Sequence, residues 1–172
     1  MRQEPSGDIW QPPPLEAYKL NFDATIFSDS GKSRYGAIIR NEKGEVMAAM
    51  TASGPKVRTS DEAELLACRR AIEFVVDARF SRMIIEGDKN NVIQAISFSV
   101  ENTSLFGNVV DDIRHLMQGM QWLSVYSISR DGNQVAHALA QYARNTLDED
   151  LYRMEDSPPL AMDALYHDLS FL

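Results

Sequence analysis

The sequence predicts one α/β domain, a mixed five-stranded sheet in the order β-β-β-α-β-α-α-β-α with helices on both faces. Three observations carry that prediction. Residues 18–26 alternate strictly, with Tyr18, Leu20, Phe22, Ala24 and Ile26 on one side and Lys19, Asn21, Asp23 and Thr25 on the other, which is the period of a strand. Residues 61–79 change to helical spacing, with Leu65, Cys68, Ile72, Val75 and Val76 on one stripe. The short apolar run Met83-Ile84-Ile85 follows, flanked by charge, as a buried strand would be.

Each element then follows in order. Residues 1–16 are Pro-rich and unpatterned and predict an extended arm, with Trp10 a candidate to pack on the domain. After the first strand, a Ser-Asp-Ser-Gly turn leads to a second strand, Arg34–Arg40. The turn Asn41-Glu42-Lys43-Gly44 leads to a third, Glu45–Thr51. Such short connections force antiparallel pairing. The helix over 61–79 makes the next connection a crossover, so the strand at Met83 pairs in parallel. Helices fit residues 90–98 and 104–119, where Leu105, Val109, Ile113, Leu116 and Met120 share a face. Trp122–Ile128 reads as the fifth strand, and Asn133 is placed to cap a last helix running to about residue 146. Residues 17–146 form the domain, and residues 147–172 an acidic tail with a short amphipathic segment, suited to dock on this domain or on a protein partner.

Composition narrows the function classes. At 172 residues, 44% of them hydrophobic and 24% charged, the chain can bury a core without staples. The one cysteine, Cys68, lies within the apolar helix stripe, which suits a reducing compartment and excludes a disulfide framework. No secretory signal and no apolar run of about 20 residues is visible, so an intracellular location, nucleus or cytoplasm, is expected and no membrane partner. The net charge of −8 is concentrated in the tail, where seven acids accompany one base, Arg153. The remainder is close to neutral, which neither demands nor excludes nucleic acid.

Three acids stand out. Asp23 occupies mid-strand, where aspartate is depleted; on a solvated face it would need no further explanation. Asp88 follows the buried strand through Gly87, at the strand end where open α/β sheets bind ligands; it would equally cap the following helix. Glu64 falls in the first turn of the long helix, where Asp61-x-x-Glu64 also matches a capping box. In this topology all three can face one crevice. Clustered carboxylates repel and persist when protonated or bridged by cations, and hard oxygen ligands suit Mg²⁺ or Mn²⁺. Two such ions can support phosphodiester hydrolysis. No nucleophile elbow or phosphate loop is present.

In order along the chain stand Trp10-x-Pro-Pro, Lys19-Leu-Asn-Phe-Asp23, Gly36-Ala-Ile-Ile-Arg-Asn-x-Lys-Gly44, Glu62-Ala-Glu64-Leu-Leu-Ala, Glu86-Gly-Asp88 and Asn133-x-Val-Ala-His137-Ala-Leu-Ala140. Together they resemble the type 1 ribonuclease H-like domain in its plant and retroelement-derived form, from about Trp10 to Arg144. The resemblance implies two-metal cleavage of the RNA strand of RNA–DNA hybrids, with Asp23, Glu64 and Asp88 as three of the four metal-binding acids. It implies hybrid contacts at Thr59, Ser60 and Asn133, and recognition through groove shape and 2′-hydroxyls. His137 stands where the family has its fourth acid, and is expected to join the metal site. The loop Arg130-Asp131-Gly132 lacks the family's histidine, Ala24 replaces a common glycine, Lys89 replaces a common serine, and no basic protrusion joins the middle helices. These departures imply the alternative, a catalytically silent module binding nucleic acid or a protein partner.

Overall fold

The computed structural model describes residues 9–97, 106–142, 151–154 and 162–170. Strands β1 (Tyr18–Ile26), β2 (Lys32–Arg40) and β3 (Val46–Lys56) form the antiparallel meander. Helix α1 (Ser60–Asp77) crosses to β4 (Arg82–Gly87), which pairs in parallel with β1. Helices α2 (Asn90–Ser97) and α3 (Gly107–Met117) lead to β5 (Trp122–Ser127), parallel to β4. A 3-10 turn, Arg130–Asn133, opens α4 (Gln134–Tyr142). Residues 98, 104–105 and 143–146, included in the helices expected from the sequence, lie outside the described residues.

The predicted five-stranded frame is present in the order β3-β2-β1-β4-β5, and a sixth strand extends it. Leu151–Met154 (β6) of the tail pairs antiparallel with β3. The physical reason is the open edge that five strands leave on β3, a row of backbone donors and acceptors that another segment can cover. That edge is also longer than expected, because β3 continues past Thr51 and keeps pairing with β2 as far as Lys56. The turn before β3 forms as read, with Gly44 at φ 79° and the Asn41 side chain accepting from the backbone N–H of Lys43 and Glu45.

Alternation along each strand divides the core. Leu20, Phe22, Ile39 and Ile85 pack with α1, α2 and α3 on one face, while Ile38 and Ala49 pack with Val135 and Leu139 of α4 on the other. The tail helix α5 (Met162–Leu169) joins this second cluster through Leu165. The arm's Trp10 is fully buried, stacked under the Arg40 guanidinium at 3.8 Å from the ring centroid. Among the described residues no helix is long and apolar enough to cross a membrane.

Candidate metal centre

Three elements deliver the three acids. Asp23 is carried by β1 on the α4 side and is fully buried. Its cross-strand partner is Gly36, and a Cβ there would lie 2.3 Å from the Ala136 carbonyl oxygen. The missing side chain therefore lets α4 lie directly on β2, which brings His137 down beside Asp23. Asp88 leaves the carboxyl end of β4 just after Gly87, whose backbone sits against the Phe22 ring.

Glu64 reaches the site because a different pair caps α1. The alternative that the sequence left for Glu64, an Asp61-x-x-Glu64 capping box, does not form. Thr59 is the N-cap, its hydroxyl accepting from the Glu62 N–H at 3.2 Å, while the Glu62 carboxylate accepts from the Arg58 N–H at 3.0 Å. Thr59 takes this duty because it adopts the extended backbone a cap requires. Glu64, released from that duty, accepts from the Ala24 N–H at 3.0 Å. That N–H is available because the pairing of β1 with β4 ends at Asn21 and Glu86.

The ligand atoms of Asp23, Glu64 and Asp88 all lie within 4.8 Å of one another. At that spacing two carboxylates repel by roughly 3–4 kcal/mol at an effective dielectric of about 20. Burial, and then the Asp23 charge beside it, push the Glu64 carboxyl up to about 10. Burial and Asp23 also raise Asp88, opposed by Arg130 and Asn133. As carboxylate oxygens Asp23 Oδ1 and Glu64 Oε2 are buried without a donor, and in the metal-free chain the proton that Glu64 keeps lies between Glu64 and Asp23. Unpartnered buried acceptors are costly, and a divalent cation is the ligand that would satisfy both, so the donor set fits a hard metal ion.

His137 meets the site at Asp23, with Nδ1 2.7 Å from Asp23 Oδ2, and does not join the group of mutually close ligand atoms. Asp23 Oδ2 can only accept, so this shorter contact asks for a proton on Nδ1, whereas Arg130 Nη1, 3.2 Å from the same nitrogen, could bond only to its lone pair. Arg130 was singled out in the sequence only through its loop's lack of a histidine. Here its Nε is 3.0 Å from Asp88 Oδ2 and its Nη1 3.2 Å from His137 Nδ1. Nothing in local sequence spacing announces this, because the contacts depend on how the 3-10 turn folds over β4.

The remaining expected residues divide. Thr59 and Ser60 are exposed at the start of α1, with Lys89 Nζ donating to Ser60 Oγ at 2.6 Å. Asn133 does not cap α4. Ser129 caps the 3-10 turn instead, its hydroxyl accepting from Gly132 N, and α4 continues directly from it. The Asn133 amide is buried and donates to the Phe22 carbonyl at 2.9 Å and to Asp88 Oδ2 at 3.5 Å.

A strand-borne aspartate, an early-helix glutamate and an aspartate at a parallel strand's end, on this topology, define a ribonuclease H-like domain. The chain belongs to the reverse transcriptase-like family, whose model matches residues 21–143. Solved structures agree in fold. Ribonuclease H1 of Halobacterium salinarum superposes with a TM-score of 0.68 at 22% identity, covering 75% of this chain and 98% of that one. The N-terminal ribonuclease H domain of a Mycobacterium tuberculosis protein gives 0.64 at 18%, covering 74% and 92%. LC11 ribonuclease H1, isolated from compost, was solved in complex with an RNA/DNA hybrid and gives 0.63 at 19%, covering 73% and 94%. No curated protein sequence matches the chain.

Proposed function

We propose that the chain is a divalent-metal-dependent endonuclease that cleaves the RNA strand of RNA–DNA hybrids. The observation that carries this reading is the buried group of Asp23, Glu64 and Asp88, with orphaned oxygens on two of the three. Asp23, Glu64 and Asp88, with His137 as the fourth partner of the site, would hold the Mg²⁺ or Mn²⁺ ions. Bound there, the ions would activate water and offset the charge gathering on the phosphate.

The chain's own groups do the rest. Asp23 holds the His137 ring by Nδ1, which leaves Nε2 as the nitrogen that would face a metal ion. Arg130, half-exposed above Asp88, has guanidinium N–H groups left to meet a phosphate oxygen. Thr59 and Ser60 would meet the hybrid backbone at the α1 N-terminus, whereas Asn133, buried and bonded to Asp88, would act on substrate only through that acid. A fold relative solved with an RNA/DNA hybrid supports this substrate class.

A second reading has its own observation. Arg130 already neutralises Asp88 at 3.0 Å, as a tethered cation would in a silent module that binds nucleic acid without cutting it. Labelled RNA–DNA hybrid incubated with Mg²⁺ or Mn²⁺ separates the two. Cleavage of the RNA strand that disappears in Asp88→Asn supports the nuclease. Retained hybrid binding with no cleavage in either metal supports the silent module.

A further inference from the structure

Behind the three carboxylates, an unbroken run of side-chain hydrogen bonds leads to the arm. The Trp10 indole N–H donates to Asn21 Oδ1 at 3.0 Å. Asn21 Nδ2 donates to Glu86 Oε1 at 3.1 Å and to Asn133 Oδ1 at 3.2 Å. Asn133 Nδ2 in turn donates to the Phe22 carbonyl and to Asp88 Oδ2. Trp10, Asn21 and Asn133 are each at most 1% exposed, so water cannot substitute for a missing partner.

The direction of this run is held from both ends, by donor-only groups at the arm and by the acceptor-only Glu86, Phe22 carbonyl and Asp88 toward the site. A primary amide can turn over with almost no change of shape, exchanging its acceptor for its donors, so its partners decide its orientation. An indole N–H and a guanidinium can only donate. Asn21 meets both on one side, Trp10 at 3.0 Å and Arg40 Nη2 at 3.5 Å, and must present its oxygen there. Its NH₂ then faces Glu86 and Asn133. Asn133 must answer with its oxygen, which turns its own NH₂ toward Asp88. Reversing either amide would set donor against donor on one side and oxygen against carboxylate on the other.

We propose that Trp10 is a positioning residue for the metal centre, its indole N–H anchoring the donor end of a two-amide relay that presents an N–H donor to Asp88. The proposal rests on Asp88 being a metal ligand. Trp10 is the closer of the two donors to Asn21, at 3.0 Å against 3.5 Å for Arg40 Nη2, and the Arg40 guanidinium is drawn to Asp168 of α5 through Nη1 at 2.7 Å. Trp10→Phe isolates the effect, since it removes the N–H and keeps an aromatic face beneath the guanidinium.

The test uses the full chain, with Mn²⁺ titrated by calorimetry and side-chain amide signals recorded by ¹⁵N NMR without metal. Partners one shell out from a metal ligand typically contribute about 10–100-fold to affinity. Trp10→Phe is expected to weaken Mn²⁺ binding about tenfold and to shift the Asn133 NH₂ signals. Asn133→Leu should weaken binding at least as much, and adding Trp10→Phe to it should cost nothing more. Ile113→Val, a core change in α3, should leave Mn²⁺ affinity at the wild-type value. If Trp10→Phe does not fold, Asn21→Leu breaks the relay at its middle and should show the same loss. Mn²⁺ affinity within about twofold of wild type with unmoved Asn133 signals overturns the proposal, as does full additivity with Asn133→Leu. A wild-type chain that takes up no Mn²⁺ overturns the metal reading itself, and the metal-free Asn133 signals separate that failure from a failure of the relay.

Discussion

His137 and Arg130 decide how this site differs from one built of four acids. A fourth carboxylate would bring charge and oxygen, which suit Mg²⁺, whereas an imidazole nitrogen suits Mn²⁺ better. Any hydrolysis should therefore be faster with Mn²⁺ than with Mg²⁺, and His137→Asp should raise the Mg²⁺-supported rate relative to the Mn²⁺ rate. Equal rates in the two metals, unchanged by His137→Ala, would show that the ring only packs beside Asp23. Arg130 has a role that needs no substrate. Its pairing with Asp88, whose side chain is 3% exposed, offsets part of the repulsion inside the site. The arginine itself is half-exposed, so solvent screening discounts the pair to about 1–2 kcal/mol. Arg130→Gln should lower the metal-free melting temperature by roughly 3–6 °C, read by thermal denaturation in chelator, and a melt equal to wild type would remove Arg130 from the charge balance.

At the scale of elements, the site depends on how closely α4 approaches the sheet. The contact at Gly36 makes this testable, because even one methyl group there would meet the α4 backbone. Gly36→Ala should displace α4, cost about 1–3 kcal/mol as overpacking does, and separate His137 from Asp23. A urea midpoint together with His137 ring NMR signals would report both effects, and wild-type values for both would contradict the packing argument. Asp23 stood out in the sequence because aspartate is depleted in mid-strand, although its alternation alone reads as solvent-facing and the residue is fully buried. Asp88 was legible from the strand-helix boundary at Gly87. Glu64 was ambiguous in the sequence, since Thr59 and Asp61 both precede acids at capping distance and only the backbone at Thr59 decides which acid is left for the site. Asn21 and Arg40 went unremarked because an alternating polar residue reads as solvent-facing; the arm's Trp10 and the tail's Asp168 are what bury them. β6 was illegible for a related reason, being four residues whose only structural prompt is the edge of β3.

For the molecule as a whole, the metal-free state stores the cost of its carboxylates. Ions that bind only the folded chain stabilise it, by about 2.7 kcal/mol at a hundred times Kd, or roughly 5–11 °C in melting temperature for a domain of this size. Asp88→Asn should raise the metal-free melting temperature and shrink that metal-dependent rise. The pH dependence has a defined sign. Glu64 sits at about 10 in the folded chain against an ordinary 4.5, so above the ordinary value the unfolded chain gives up this proton while the folded chain keeps it. Through Glu64, therefore, the metal-free fold loses stability as pH rises from about 4.5 toward 10. A metal ion must displace the same proton to use the carboxylate. Its uptake should release close to one proton between about pH 6 and 8, and the apparent Mn²⁺ Kd should fall nearly tenfold per pH unit across that range. Calorimetry in buffers of different ionisation enthalpy counts the released protons directly. A count near zero, with an affinity flat in pH, would mean that Glu64 is already ionised without metal and that the crowding of Asp23, Glu64 and Asp88 is relieved in some other way.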